Sequence, residues 1–65
     1  MADIVPRERR LELCSAKVTL NGNRAVIGGA SNQFATIHDL ITGMSVEFAW
    51  PTVDRIVKRD GKFKS

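Results

Sequence analysis

Two groups of residues in this chain are of types able to do chemistry, and the first of them could bind. Gln33 and Phe34 adjoin in a polar stretch, Asn32 precedes them, and Trp50 ends an alternating apolar run. Aromatic rings stack on unpaired bases while a neighbouring amide reads a base edge, so Gln33 and Phe34 are candidate contacts for single-stranded RNA. Trp50, just before Pro51, is a candidate second platform offered by an adjacent subunit. Arg7, Arg9 and Arg10, with Lys58 and Arg59 near the other end, are candidate phosphate contacts, since guanidinium forks match phosphate geometry. Competing demands act on the same residues. A small core readily claims aromatic rings such as Phe34 and Trp50, and Glu8 and Glu12 partly neutralise the arginines.

The second group could catalyse, and it is sparse. His38 is the single histidine, Cys14 the single cysteine, and no carboxylate pair accompanies either at a telling spacing. The expectation is a protein that is not an enzyme and carries no cofactor or metal. Cys14 reads as a small buried hydrophobe. His38 follows Ile37 in an alternating stretch and is expected at a surface or subunit contact. A lone cysteine excludes an internal disulfide, and with one histidine it excludes an ordinary structural zinc site.

These residues must be positioned by a small domain. The chain has 65 residues, 43% hydrophobic and 26% charged, with a net charge of +3. A chain of that length buries only about 60% of its unfolded surface, so association with copies of itself is the expected source of extra stability. The charge is uneven. The middle, with Arg24 against Asp39 and Glu47, is nearly neutral, whereas residues 51–65 carry Arg55, Lys58, Arg59, Lys62 and Lys64 against Asp54 and Asp60. Basic ends around an apolar centre suit a nucleic-acid partner, and equally suit a plain solvated surface. No apolar run approaches the ~20 residues of a membrane span. The start, Met1 to Pro6, lacks the basic head and apolar stretch of a signal peptide. A soluble, cytoplasmic protein without a membrane partner is expected.

Periodicity predicts short strands. Residues 1–6 read as a flexible N-terminus, 7–60 as one domain and 61–65 as a basic tail. Residues 7–13 fit a helical turn or the start of a strand. Ala16, Val18 and Leu20 alternate with Lys17 and Thr19, Asn21-Gly22 is a strong hairpin signal, and the chain returns through Arg24 to Ile27. Gly28-Gly29 predicts a bend or bulge. Ser31 to Gln33 is a polar loop, Phe34 to Leu40 a strand, Ile41 to Gly43 a turn, and Met44 to Trp50 a strand with Val46, Phe48 and Trp50 on one face. Residues 51–60 divide the reading. Val53, Ile56 and Val57 with Pro51 and Gly61 suit a helix, while a short 3₁₀ turn and a closing strand over Arg55 to Lys58 would remove exposed sheet edges. The strand is preferred here. The resulting expectation is an all-β or mainly β fold, a five-stranded antiparallel sheet curled into a small barrel, whose order of elements resembles the SH3-like and Sm-like barrels.

That order of elements resembles the Sm-like proteins, and some residues resemble their bacterial RNA-chaperone branch, the host-factor type. Arg7-Glu8-Arg9-Arg10 looks like the arginine patch before the family's first strand, and Val18 to Gly22 like that strand and its turn. Asn32-Gln33-Phe34 looks like the Asp-Gln-Phe lining the family's uridine pocket. The family's Tyr-Lys-His segment is replaced by Phe48-Ala49-Trp50, and its long N-terminal helix would have to shrink. The resemblance implies an oligomeric barrel that binds single-stranded RNA as a post-transcriptional regulator. Ser45 to Ile56 also resembles the C-terminal part of plasmid-borne type II dihydrofolate reductases, tetramers of SH3-like barrels. Glu47 stands there at the family's active-site glutamine and Ala49 at its tyrosine, which implies a shared fold rather than shared chemistry and leaves a reductase of that type as the least favoured alternative. A further alternative is a protein-interaction or inhibitor module from a phage or other mobile element, with a protein target in place of RNA.

Overall fold

The computed structural model of the protein describes residues 5–65. Its elements run α1 (Arg7–Cys14), β1 (Val18–Leu20), β2 (Asn23–Gly29), β3 (Phe34–Asp39), β4 (Ser45–Ala49), α2 (Trp50–Arg59) and β5 (Lys62–Phe63). The strands form one curled sheet in the order β4-β3-β2-β1-β5, a half-barrel, so the mainly β class expected from sequence holds.

Local chemistry sets the strand path. Asn21 and Gly22 both adopt positive φ, 53° and 85°, and join β1 to β2 through a two-residue hairpin with Leu20 opposite Asn23. In β3, Ala35, Ile37 and Asp39 point inward while Phe34, Thr36 and His38 point outward, the period-2 alternation of a half-buried strand. Val18, Leu20, Ala25, Ile27 and Ile37 form the sheet side of the core, and Leu13, Trp50, Val53 and Phe63 cover it.

The expectations for residues 51–60 and for Gly28-Gly29 need correction. Residues 51–60 are helical: Pro51 sits in the first turn of α2, Trp50 and Val53 are buried along one face, and the closing strand comes later, at Lys62–Phe63. The helix prevails because one face can cover the open end of the half-barrel, which a strand of that length could not. β5 lies parallel to β1, with Thr19 opposite Lys62. Gly28 and Gly29 cause no bulge, for the β2–β3 ladder runs unbroken through Gly28↔Thr36 and Gly29↔Ala35. The basic tail of residues 61–65, whose order the sequence left open, contains β5, and its Phe63 is 1% exposed. Of the expected flexible N-terminus, residues 1–4 lie outside the described residues, while Val5 is buried and Pro6 precedes α1. Residues 7–13, left open between helix and strand, lie in α1.

Candidate functional site: the loop before β3

The loop at 31–33 is built by a serine. Ser31 Oγ accepts hydrogen bonds from the backbone N–H of Gln33 at 3.2 Å and of Phe34 at 3.1 Å, while Ser31 N donates to Phe34 O at 3.0 Å. From below, Trp50 Nε1 donates to Ser31 O at 2.8 Å, and Trp50 N donates to Gln33 O at 3.1 Å. The loop is thus fixed at both ends by backbone bonds. It presents Asn32 and Gln33 to solvent, and Phe34 follows at 44% exposure on the outer face of the sheet. Ala49 stands opposite Phe34 on β4, so a small residue flanks the ring on that side.

Trp50 is not a second platform. At 2% exposure it belongs to the core, and its indole spends its one donor on the Ser31 carbonyl. Its part is to position the loop. The strand ends at Ala49, and Trp50 opens α2 on the inward side that Val46 and Phe48 already occupy.

The basic candidates divide. Arg10 Nη1 donates to Asn32 Oδ1 at 3.0 Å, which ties α1 to the loop beside Gln33 and Phe34. Arg10 Nε is buried with no hydrogen-bond partner among the described residues. Arg7 is exposed on the same helix. Arg9 is committed elsewhere: its Nε and Nη2 both donate to Asp54 Oδ1 on α2, at 2.8 and 2.7 Å. The hydrogen bond that Arg9 donates to Asp54 holds its guanidinium above its ordinary pKa. Burial pushes the Asp54 carboxyl up, yet hydrogen bonds from Arg9 and Lys58 outweigh it and hold the group below the usual carboxylate range. Lys58 pairs with Asp54 Oδ2 at 3.4 Å, and Arg59 with Asp60 at 3.6 Å. Arg9 and Lys58 therefore line a separate cleft of about 340 Å³ around Asp54. Of the nine candidates, Arg10, Asn32, Gln33 and Phe34 come together; Arg9, Lys58 and Arg59 are spoken for by acids.

Two residues escaped sequence reading. Ser31 organises the loop, and the signal was available in the tendency of a serine hydroxyl to bond backbone N–H groups two and three residues on. Ser45 Oγ lies 2.7 Å from His38 Nδ1 across the β3–β4 ladder. A hydroxyl beside an imidazole is the start of a nucleophile–base pair, but this one stands on an open sheet face outside either cleft. No group of three or more His, Cys, Asp or Glu among the described residues could hold a metal ion, and no helix of the described residues is long and apolar enough to cross a membrane.

Fold and site together define a small, mainly β half-barrel with an ordered polar loop and a half-exposed aromatic at its rim. No protein-family model, curated protein or solved structure matches the chain.

Proposed function

We propose that this half-barrel binds single-stranded RNA at the rim formed by Arg10, Asn32, Gln33 and Phe34, as a small Sm-like regulator that works as an oligomer. The observation that carries the reading is the Arg10–Asn32 hydrogen bond, which places a cation next to an amide and an exposed ring. Phe34 stacks on a base, contributing about 1–3 kcal/mol, Gln33 reads its edge, and Arg10 and Arg7 neutralise the neighbouring phosphates. Lys58 and Arg59 have no part in this version of the site. β4 is an edge strand, bonded only to β3, and its free backbone groups support self-association. Fluorescence anisotropy with a labelled oligouridine tests the reading: binding at low salt that weakens steeply towards physiological salt is expected. A flat titration at low salt rejects it.

A second reading has its own observation. Val26, Leu40, Ile41 and Met44 are 44%, 48%, 71% and 46% exposed, and the last three cluster at the β3–β4 turn. Exposed apolar clusters of this kind mark protein contacts. A protein target captured by the wild-type chain after nuclease treatment and lost with Ile41→Asp favours that reading over RNA.

A further inference from the structure

On the outer face of the sheet, the registers of β1, β2 and β5 assemble a row of three side chains. Thr19 of β1 stands opposite Arg24 of β2 on one side and opposite Lys62 of β5 on the other. Neighbouring strands are about 4.8 Å apart, so the two cations bracket the hydroxyl across about 10 Å. Lys17, two residues before Thr19, lines the same cleft, whose volume is about 620 Å³. Ala16, Val26 and Leu40 supply an apolar wall.

Lys17, Arg24 and Lys62 form no ion pair among the described residues. Asp60, the carboxylate on the cleft, is already engaged: its Oδ1 accepts the Lys62 N–H at 3.0 Å, and its Oδ2 lies 3.6 Å from Arg59. Three cations that line one cleft repel one another, and an anion bound there relieves that repulsion. The volume falls in the range of small-molecule sites, which pair apolar walls with a few convergent polar groups.

We infer that this cleft binds a phosphate monoester carried on a flat or apolar body, with Arg24, Lys62 and Lys17 on the phosphate oxygens, the Thr19 hydroxyl donating to one of them, and Val26 and Leu40 against the body. The site stands apart from the RNA reading, for none of its residues belongs to that rim. A free mononucleotide and the phosphorylated end of an oligonucleotide share this chemistry.

Amide-resolved NMR titration of the full chain with uridine monophosphate is the test, with uridine as the control. The nucleotide should shift the amides of Lys17, Thr19, Arg24 and Lys62, and uridine should not. Arg24→Gln with Lys62→Gln should weaken binding by about tenfold or more, and Lys58→Gln, an exposed cation outside this cleft, should leave it unchanged. Both changed side chains are exposed, circular dichroism checks the fold, and each single variant repeats the measurement. An oligouridine with a 5′-phosphate that outbinds both its hydroxyl counterpart and the mononucleotide identifies the nucleic-acid end as the source; equal or tighter binding of the mononucleotide identifies the free ligand. Absence of shifts at millimolar nucleotide, identical shifts with uridine, or shifts that survive the double substitution overturn the proposal.

Discussion

The ring of Phe48 on β4 lies 5.3 Å from the ring of Phe63 on β5, tilted by 39°. Those strands are the two edges of the sheet and share no ladder. A side-chain pair thus bridges a gap that backbone hydrogen bonds leave open, and it does so where α2 separates the strands in sequence.

Phe63→Ala should be the most damaging single truncation. Removal of a fully buried phenyl group costs about 3–5 kcal/mol. A chain of this size has only about 3–10 kcal/mol in total. Urea unfolding followed by circular dichroism should show a largely unfolded variant at 25 °C, with Phe48→Ala milder because Phe48 is half-buried. A Phe63→Ala midpoint close to wild type would mean that β5 contributes little to the core.

Gly61→Ala should cost more than Gly43→Ala. Both glycines have positive φ, 68° and 81°, a backbone that disfavours any other residue by about 1–2 kcal/mol. Only at Gly61 would the added Cβ also meet a neighbour, the Lys17 carbonyl oxygen at 3.1 Å, and Gly61 O is the acceptor for Thr19 N at 2.9 Å. Thermal melting of the two variants side by side should rank Gly61→Ala lower. The reverse order contradicts the tight passage between α2 and β5.

Acid sensitivity should centre on Asp39, which is 1% exposed. The hydrogen bond from Asn23 Nδ2, aided by the N–H groups of Thr42 and Ile41, outweighs burial and lowers its pKa from 3.8 to about 2. Because the folded value lies below the unfolded one, the unfolded chain takes up the proton first as pH falls. Stability from this group is complete above about pH 4 and drains away towards pH 2. The wild-type melting midpoint should fall across that window more steeply than that of Asp39→Asn, which should already melt lower at pH 7. Parallel slopes would show that another carboxylate governs acid unfolding.

How much of this was legible in the sequence follows from the range of each interaction. Asn21-Gly22 announced the hairpin because positive φ is a local property. The alternation of Ala35, Ile37 and Asp39 against Thr36 and His38 fixed the inward face of β3. Helix α2 was misread because closing the sheet with a strand outweighed the helical spacing of Val53, Ile56 and Val57. The sheet is in fact closed by Phe63, and a two-residue strand has no periodicity to display. The commitment of Arg9 to Asp54, 45 residues away, is a tertiary event with no local signature. Without it, all three arginines looked equally available. Gln33 and Phe34 kept their place in the candidate site because Ser31 shapes their loop locally, although the two hydrogen bonds from Trp50 that anchor it come from a distant residue.

The proposed RNA site joins the Arg10–Asn32 hydrogen bond to one exposed ring, and the ring is the part a single truncation removes cleanly. The direct measurement is the dissociation constant for oligouridine of the wild-type chain and of Phe34→Ala, taken at low salt by anisotropy with both folds verified by circular dichroism. Loss of a base-stacking ring should weaken binding about 5- to 150-fold, the equivalent of about 1–3 kcal/mol. Equal affinity of the two proteins would contradict the account.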